Sequence, residues 1–234
     1  MDKQLREQIK HDKFVEEVTH TVDYLQGHKA QVKKYGGVVA AVLVVAAGIY
    51  GFMNYQASKR QDDLRQATLV QDAFVGPQNP NGGLAYATQA EKDVAALKAY
   101  SDVASKHSGS REGDLARYSA ATLLCDTGKL AECEAGFKQV AASSDKNTSS
   151  LGKLSLATLY LAQKKGEQAE PLLRELVANP TAVVSKEQAQ IALARAILKT
   201  KRQEAEIILK SLQALDRPAV TRAAVGVLGE MMNQ

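Results

Sequence analysis

Polar residues open the chain, one long stretch without charge follows, and the remainder settles into a helical rhythm. Between Tyr35 and Ser58 no residue is charged, and Gly36 to Met53 reads GGVVAAVLVVAAGIYGFM. Such a run is apolar around the whole circumference of a helix, which suits lipid better than a protein core. At about 1.5 Å per residue it reaches roughly 27 Å, close to the roughly 30 Å hydrocarbon layer of a bilayer. Tyr35, Tyr50 and Tyr55 suit the headgroup level, and Lys33, Lys34, Lys59 and Arg60 flank the run. The pattern predicts a transmembrane helix over residues 36–55. The polar residues ahead of it are too many for the leader of a cleaved signal peptide, so an uncleaved anchor is expected.

Residues 1–35 hold seven Lys or Arg against six acids, with Leu5, Ile9, Val15, Val18, Val22 and Leu25 at three- and four-residue steps. Short amphipathic helices on the membrane face are expected there. Lys33 and Lys34 abut the apolar run, and basic residues near a span favour the cytoplasmic side. The tail is therefore expected in the cytoplasm and the rest of the chain outside it.

Beyond the span, residues 56–87 read as a helical extension and a loop. Leu64, Ala67, Val70 and Phe74 give the extension an apolar stripe, and GPQNPNGGLA from Gly76 to Ala85 breaks it. That loop has no apolar period and is expected to be a mobile connection. From about Thr88 to His107 a helix resumes, with Ala96, Tyr100 and Val103 on one face.

Three later segments align without a gap at a spacing of thirty-six residues: LLCDTGKLAECEAGFKQV from Leu123, LYLAQKKGEQAEPLLREL from Leu159 and RAILKTKRQEAEIILKSL from Arg195. Equivalent positions are Ala121, Ala157 and Leu193; Cys133, Ala169 and Ala205; Phe137, Leu173 and Leu209; and Val140, Leu176 and Leu212. Each unit reads as two helices joined by a short polar turn, with a small residue at the crossing and larger apolar residues behind it. No hairpin of this kind can bury its apolar face alone, so neighbours are expected to stack. The helix around Ala96 is expected to cap one end of the stack, and Ala219 to Met232 the other.

These hairpins resemble the tetratricopeptide repeat family, on Ala121, Cys133 and Phe137 in the first unit and Ala157, Tyr160, Ala169, Leu173 and Pro180 in the second. The third keeps Ala205 and Leu209, has Leu193 where the family has a small residue, and places its proline at Pro218; the signature tryptophan is missing throughout. The resemblance covers about residues 88–218. With the periodicity it predicts an all-α protein, one N-terminal transmembrane helix followed by a short tetratricopeptide-like solenoid over residues 88–234.

Composition narrows the function. The formal net charge is +4 and the pI near 8.9, but basic residues alternate with acids rather than forming an arginine-rich stripe, which argues against nucleic acid. His11, His20, His28 and His107 have no zinc-motif spacing, no nucleophile elbow is present, and the acids beside the turns, Glu167 with Glu170 and Glu204 with Glu206, read as an exposed charged face. No enzyme activity, cofactor, metal or small-molecule substrate is expected. Cys125 and Cys133 lie on opposite helices of one hairpin; their spacing suits neither a redox motif nor a zinc site and leaves a structural disulfide and two packed thiols equally open.

Family resemblance also implies that first helices line the inner surface of the solenoid. Here they are expected to present Tyr118, Thr122, Leu151, Leu154, Thr158, Leu161, Ile197 and Leu198 as a partner groove, either open or filled by the terminal helix. The layout of short tail, single span and outward repeat domain resembles the YfgM-like ancillary SecYEG translocon subunit family of bacterial inner membranes. That resemblance implies a non-enzymatic adaptor that passes emerging proteins to periplasmic chaperones, its partners being translocon subunits, chaperones, translocating clients and the lipid bilayer. The alternative is a scaffold for a cell-envelope assembly or division complex.

Overall fold

A computed structural model of the protein describes residues 29–232; the expected amphipathic helices of the tail lie outside the described residues. The chain divides into two compact units, residues 1–58 and 59–234. Among the described residues there are nine helices and one two-stranded sheet.

In the first unit, the described residues belong to helix α1 (Lys29–Gln71), which runs unbroken beyond it to Gln71. The apolar stretch of α1 has a mean hydropathy of 2.1, and none of it is buried by the protein. Val38, Val42, Leu43, Ile49 and Phe52 are all more than half exposed. Water is a poor solvent for such a surface, whereas a bilayer solvates it and the helix satisfies its own backbone. The helix is long and apolar enough to span a membrane.

The second unit begins with the end of α1, where buried Ala67 and half-buried Leu64 and Val70 meet Ala96, Tyr100, Val103 and Ala104 of α2 (Gln89–Lys106). The Tyr100 hydroxyl donates to Gln71 Oε1 at 2.5 Å, and Asp63 accepts from Lys106 Nζ at 2.6 Å. Phe74 leaves the predicted stripe, because α1 stops at Gln71 and Phe74 stands exposed in a strand. That strand, β1 (Phe74–Val75), pairs in parallel with β2 (Ala85–Tyr86), Phe74 opposite Ala85. The Gly and Pro-rich loop is therefore tied at its base by N–H groups of Phe74 and Gly76 donating to the Leu84 and Tyr86 carbonyls. Strands of two residues carry no alternation by which a sequence could announce them.

Three hairpins follow: α3 (Arg111–Asp126) with α4 (Leu130–Ala141), α5 (Lys146–Ala162) with α6 (Gly166–Ala178), and α7 (Lys186–Ile197) with α8 (Arg202–Gln213); α9 (Pro218–Met232) closes the series. Each first helix starts at a side-chain cap, Ser110, Asp145 and Ser185 accepting from the N–H groups of Gly113, Thr148 and Gln188. Second helices lack such caps and enter from tight turns. Gly128 (φ 78°) and Lys164 (φ 61°), thirty-six residues apart, take the left-handed conformation that ends a helix. In both turns the next residue closes the motif, Lys129 N–H donating to the Leu124 carbonyl and Lys165 N–H to that of Tyr160. The third turn has Thr200 at this position, a β-branched residue that avoids positive φ, and Lys201 N–H bonds to the Ile197 carbonyl instead.

All twelve positions matched across the repeats are buried, from Ala121, Cys133, Phe137 and Val140 to Leu193, Ala205, Leu209 and Leu212. One core running from Ala121 to Met231 ties hairpin to hairpin, and a second joins the end of α1 and α2 to α3. A Cβ on Gly152 of α5 would lie 2.5 Å from the Ala141 nitrogen of α4, so only glycine permits that approach. Successive first helices pack against each other more closely than successive second helices do, which puts the first helices on the inner side of the stack.

Candidate functional site

On the inner side, α5, α7 and α9 bound an open cleft of about 370 Å³ that includes Leu154, Thr158, Ile191, Ala192, Arg195 and Val220. Terminal helix α9 forms one wall of this cleft rather than filling it. It seats Ala224, Val227 and Met231 in the core, which leaves Val220 at the rim.

The predicted groove residues divide. Leu154 and Thr158 border the cleft, with the Thr158 hydroxyl turned back onto the Leu154 carbonyl at 2.8 Å. Leu161 opens instead into a neighbouring cavity of about 610 Å³, beside Lys164, Lys165 and Lys199 at the hairpin turns. Leu151 is half-buried on α5. Tyr118 packs its ring 5.6 Å from that of Phe137 and accepts a hydrogen bond from Ser155 Oγ, so it joins α3 to α4 and α5; Thr122 donates to the Tyr118 carbonyl.

Ile197 is a correction, because it is completely buried, whereas Leu198 is 8% exposed and lines the same cavity as Leu161. Ile197 occupies the register position of Cys125, which faces the second helix, and Leu198 caps α7 and turns into the same core. Ile191, Ala192 and Val220 were missing from the predicted groove. The thirty-six-residue register carries no signal for Ala192, because its counterpart Leu156 is buried in the core.

Cys125 and Cys133 are joined across the first hairpin with Cα atoms 5.2 Å apart, within the range a bridge requires. Cys133 is fully buried and Cys125 half-buried. The bond consumes both thiols, so the pair acts as a staple and offers no nucleophile.

The outer side carries a charge ladder with the same period. Glu134, Glu170 and Glu206 each pair with a base four residues on, Lys138 at 2.7 Å, Arg174 at 2.8 Å and Lys210 at 2.7 Å. Lys201 in the following turn also reaches Glu170, and Arg174 reaches Glu204. Hydrogen bonds from Lys201 and then Arg174 hold the Glu170 carboxyl below the usual glutamate range; those from Lys138 and Tyr160 do the same for Glu134. These acids stay ionised and link successive units, the opposite of a carboxylate tuned for proton transfer. Asp114, the buried carboxylate among the described residues, accepts from Arg117 and Ser143 and is likewise satisfied. No group of three His, Cys, Asp or Glu able to hold a metal ion occurs among the described residues.

No protein with a curated description and no solved structure matches the chain. A family model does. Residues 29–216 match that of the tetratricopeptide repeat-like domain, a span that takes in α1 from its first described residue together with all three hairpins, and the chain belongs to that family.

Proposed function

We propose that this protein is a non-enzymatic, membrane-tethered adaptor that works beside the Sec translocon and passes emerging polypeptides to periplasmic chaperones. The observation that carries this reading is the open, partly apolar cleft between α5, α7 and α9, next to which α9 leaves room for a partner segment. Apolar anchors in a groove between helices are a common way to hold an extended or helical peptide. Tethering to a membrane raises the effective concentration of partners at the same surface, so modest affinity suffices. A bridged Cys125–Cys133 pair belongs in an oxidising compartment. Together with Lys33 and Lys34 beside the span, it supports a cytoplasmic tail and a periplasmic repeat domain in a bacterial inner membrane.

Crosslinking of the full-length protein in cells, followed by mass spectrometry, tests the adaptor reading. Translocon subunits and periplasmic chaperones are expected among the adducts, and the Leu154→Glu, Ile191→Glu double variant is expected to lose them while keeping its helicity. Adducts confined to division or wall-synthesis proteins overturn the translocon assignment, and unchanged adducts in the double variant overturn the cleft.

A further inference from the structure

Helix α9 stands where a fourth hairpin would begin. Ala121, Ala157 and Leu193 mark the position at which each first helix meets its own second helix, and all three are buried. The first case shows the contact directly, since a Cβ on Gly136 of α4 would lie 2.7 Å from the Ala121 Cβ. The next member of the series is Gly229, which is exposed with nothing within 4 Å of where its Cβ would be. No second helix follows among the described residues to cover it.

Among the described residues that face of α9 is left uncovered. Arg222, Val225, Gly226, Gly229 and Glu230 form one strip along α9, and Val225 is 49% exposed. Glycine is among the poorest helix formers. Elsewhere in the repeat domain, helical glycines have a packing reason: Gly113, Gly136, Gly152 and Gly166 each lie under 3 Å, measured from an added Cβ, from a neighbouring atom. Gly226 and Gly229 have no such neighbour within the chain.

The charges on the strip identify what covers it. Arg222 and Glu230 lie four residues either side of Gly226. Among the described residues Arg222 has no ion-pair partner, and Glu230 has only the half-exposed Arg195 at 3.4 Å. We infer that α9 pairs antiparallel with α9 of a second copy about a two-fold axis at Gly226, so that Arg222 of each copy meets Glu230 of the other. Two-fold pairing makes a surface self-complementary, and the glycines let the two backbones approach closely. Val220, on the opposite side of α9, stays at the cleft, while Glu230 exchanges Arg195, which lines that cleft, for Arg222 of the other copy. Confinement of copies to one membrane favours such a contact.

Gly226→Cys in the full-length protein in its membrane tests the pairing by mild oxidation, with the exposed Lys210→Cys on α8 as control. A disulfide-linked dimer is expected from Gly226→Cys and not from the control. Arg222→Glu and Glu230→Arg, each added singly to Gly226→Cys, are expected to lower the dimer yield severalfold, and the two together to restore it. Failure of the restoring pair, equal crosslinking by the control, a monomer only, or an adduct with a different protein in place of the dimer each overturns the two-fold contact.

Discussion

The first and third hairpins share a register and fill it differently. In the first, α3 and α4 approach at Ala121 and Gly136 and are joined through Cys125 and Cys133. In the third, the same positions are Leu193, Ile208, Ile197 and Ala205, all packed in the main core. One hairpin uses close backbones and a covalent link, the other uses branched aliphatic volume. The repeat thus conserves where the helices cross, and the residues on the two sides of the crossing trade size. A middle case, with Ala157, Leu172, Leu161 and Ala169, combines a small residue on the first helix with a large one on the second.

Removing the link is expected to have the largest effect. A bridge closing a loop this short contributes about 2–3 kcal/mol on the chain-entropy estimate. Reduction, or the Cys125→Ala, Cys133→Ala double variant, should lower the urea midpoint of the full-length protein in detergent accordingly. An unchanged midpoint would show that packing alone holds the first hairpin. Importing the second hairpin's solution into the first comes next. Gly136→Leu places a side chain where even a Cβ meets Ala121 at 2.7 Å, so a loss of about 1–3 kcal/mol is expected from overpacking. Calorimetry reads it as a lower Tm, and a neutral result would mean that α3 and α4 can separate without cost.

The turns provide a smaller test. Lys164 adopts φ 61° where the first hairpin has Gly128, and a non-glycine residue in that region carries a strain of about 1–2 kcal/mol. Lys164→Gly is expected to raise stability by about 1 kcal/mol, and Gly128→Ala to lower it by a similar amount. Thr200→Gly should bring no gain, because the third turn does not use the left-handed conformation; thermal melts of the three variants distinguish these outcomes. The smallest effect concerns the charge ladder. Glu170 has its carboxyl depressed by Lys201 and then Arg174, so its contribution is present at neutral pH and fades as pH falls below the ordinary glutamate value of about 4.3 and through the depressed one. Lys201→Ala should flatten the acid limb of a stability-against-pH curve, and a curve unchanged between pH 3 and 6 would count against the ladder.

Much of this fold was legible in the sequence because burial recurs at one spacing. A period of thirty-six placed twelve core positions correctly, including Leu193 where the family's small residue is absent, since any apolar residue of suitable size satisfies a crossing. The same period aligns Ile197 with Cys125 and Leu161, both only half-buried, so the register alone did not announce its complete burial. Assigning it to the groove treated first-helix apolar residues as though they shared one face. The cleft was less legible because its walls come from three elements, and the spacing within one helix does not say how far α9 lies from α5. The charge ladder was visible only as a solvated face, for its connection from one unit to the next depends on Lys201 entering from the following turn.

The staple between Cys125 and Cys133 also bears on the order of events during biogenesis. The chain contains two cysteines, so one intramolecular pairing exists and no wrong bridge within a single chain has to be undone. Both sulfurs belong to the same hairpin, and closure needs nothing beyond residue 141. Synthesis runs from the N-terminus, so the residues of this hairpin are complete before the second and third are made. Each later hairpin then finds a finished surface to add to, which suits an architecture whose contacts run mainly between neighbours.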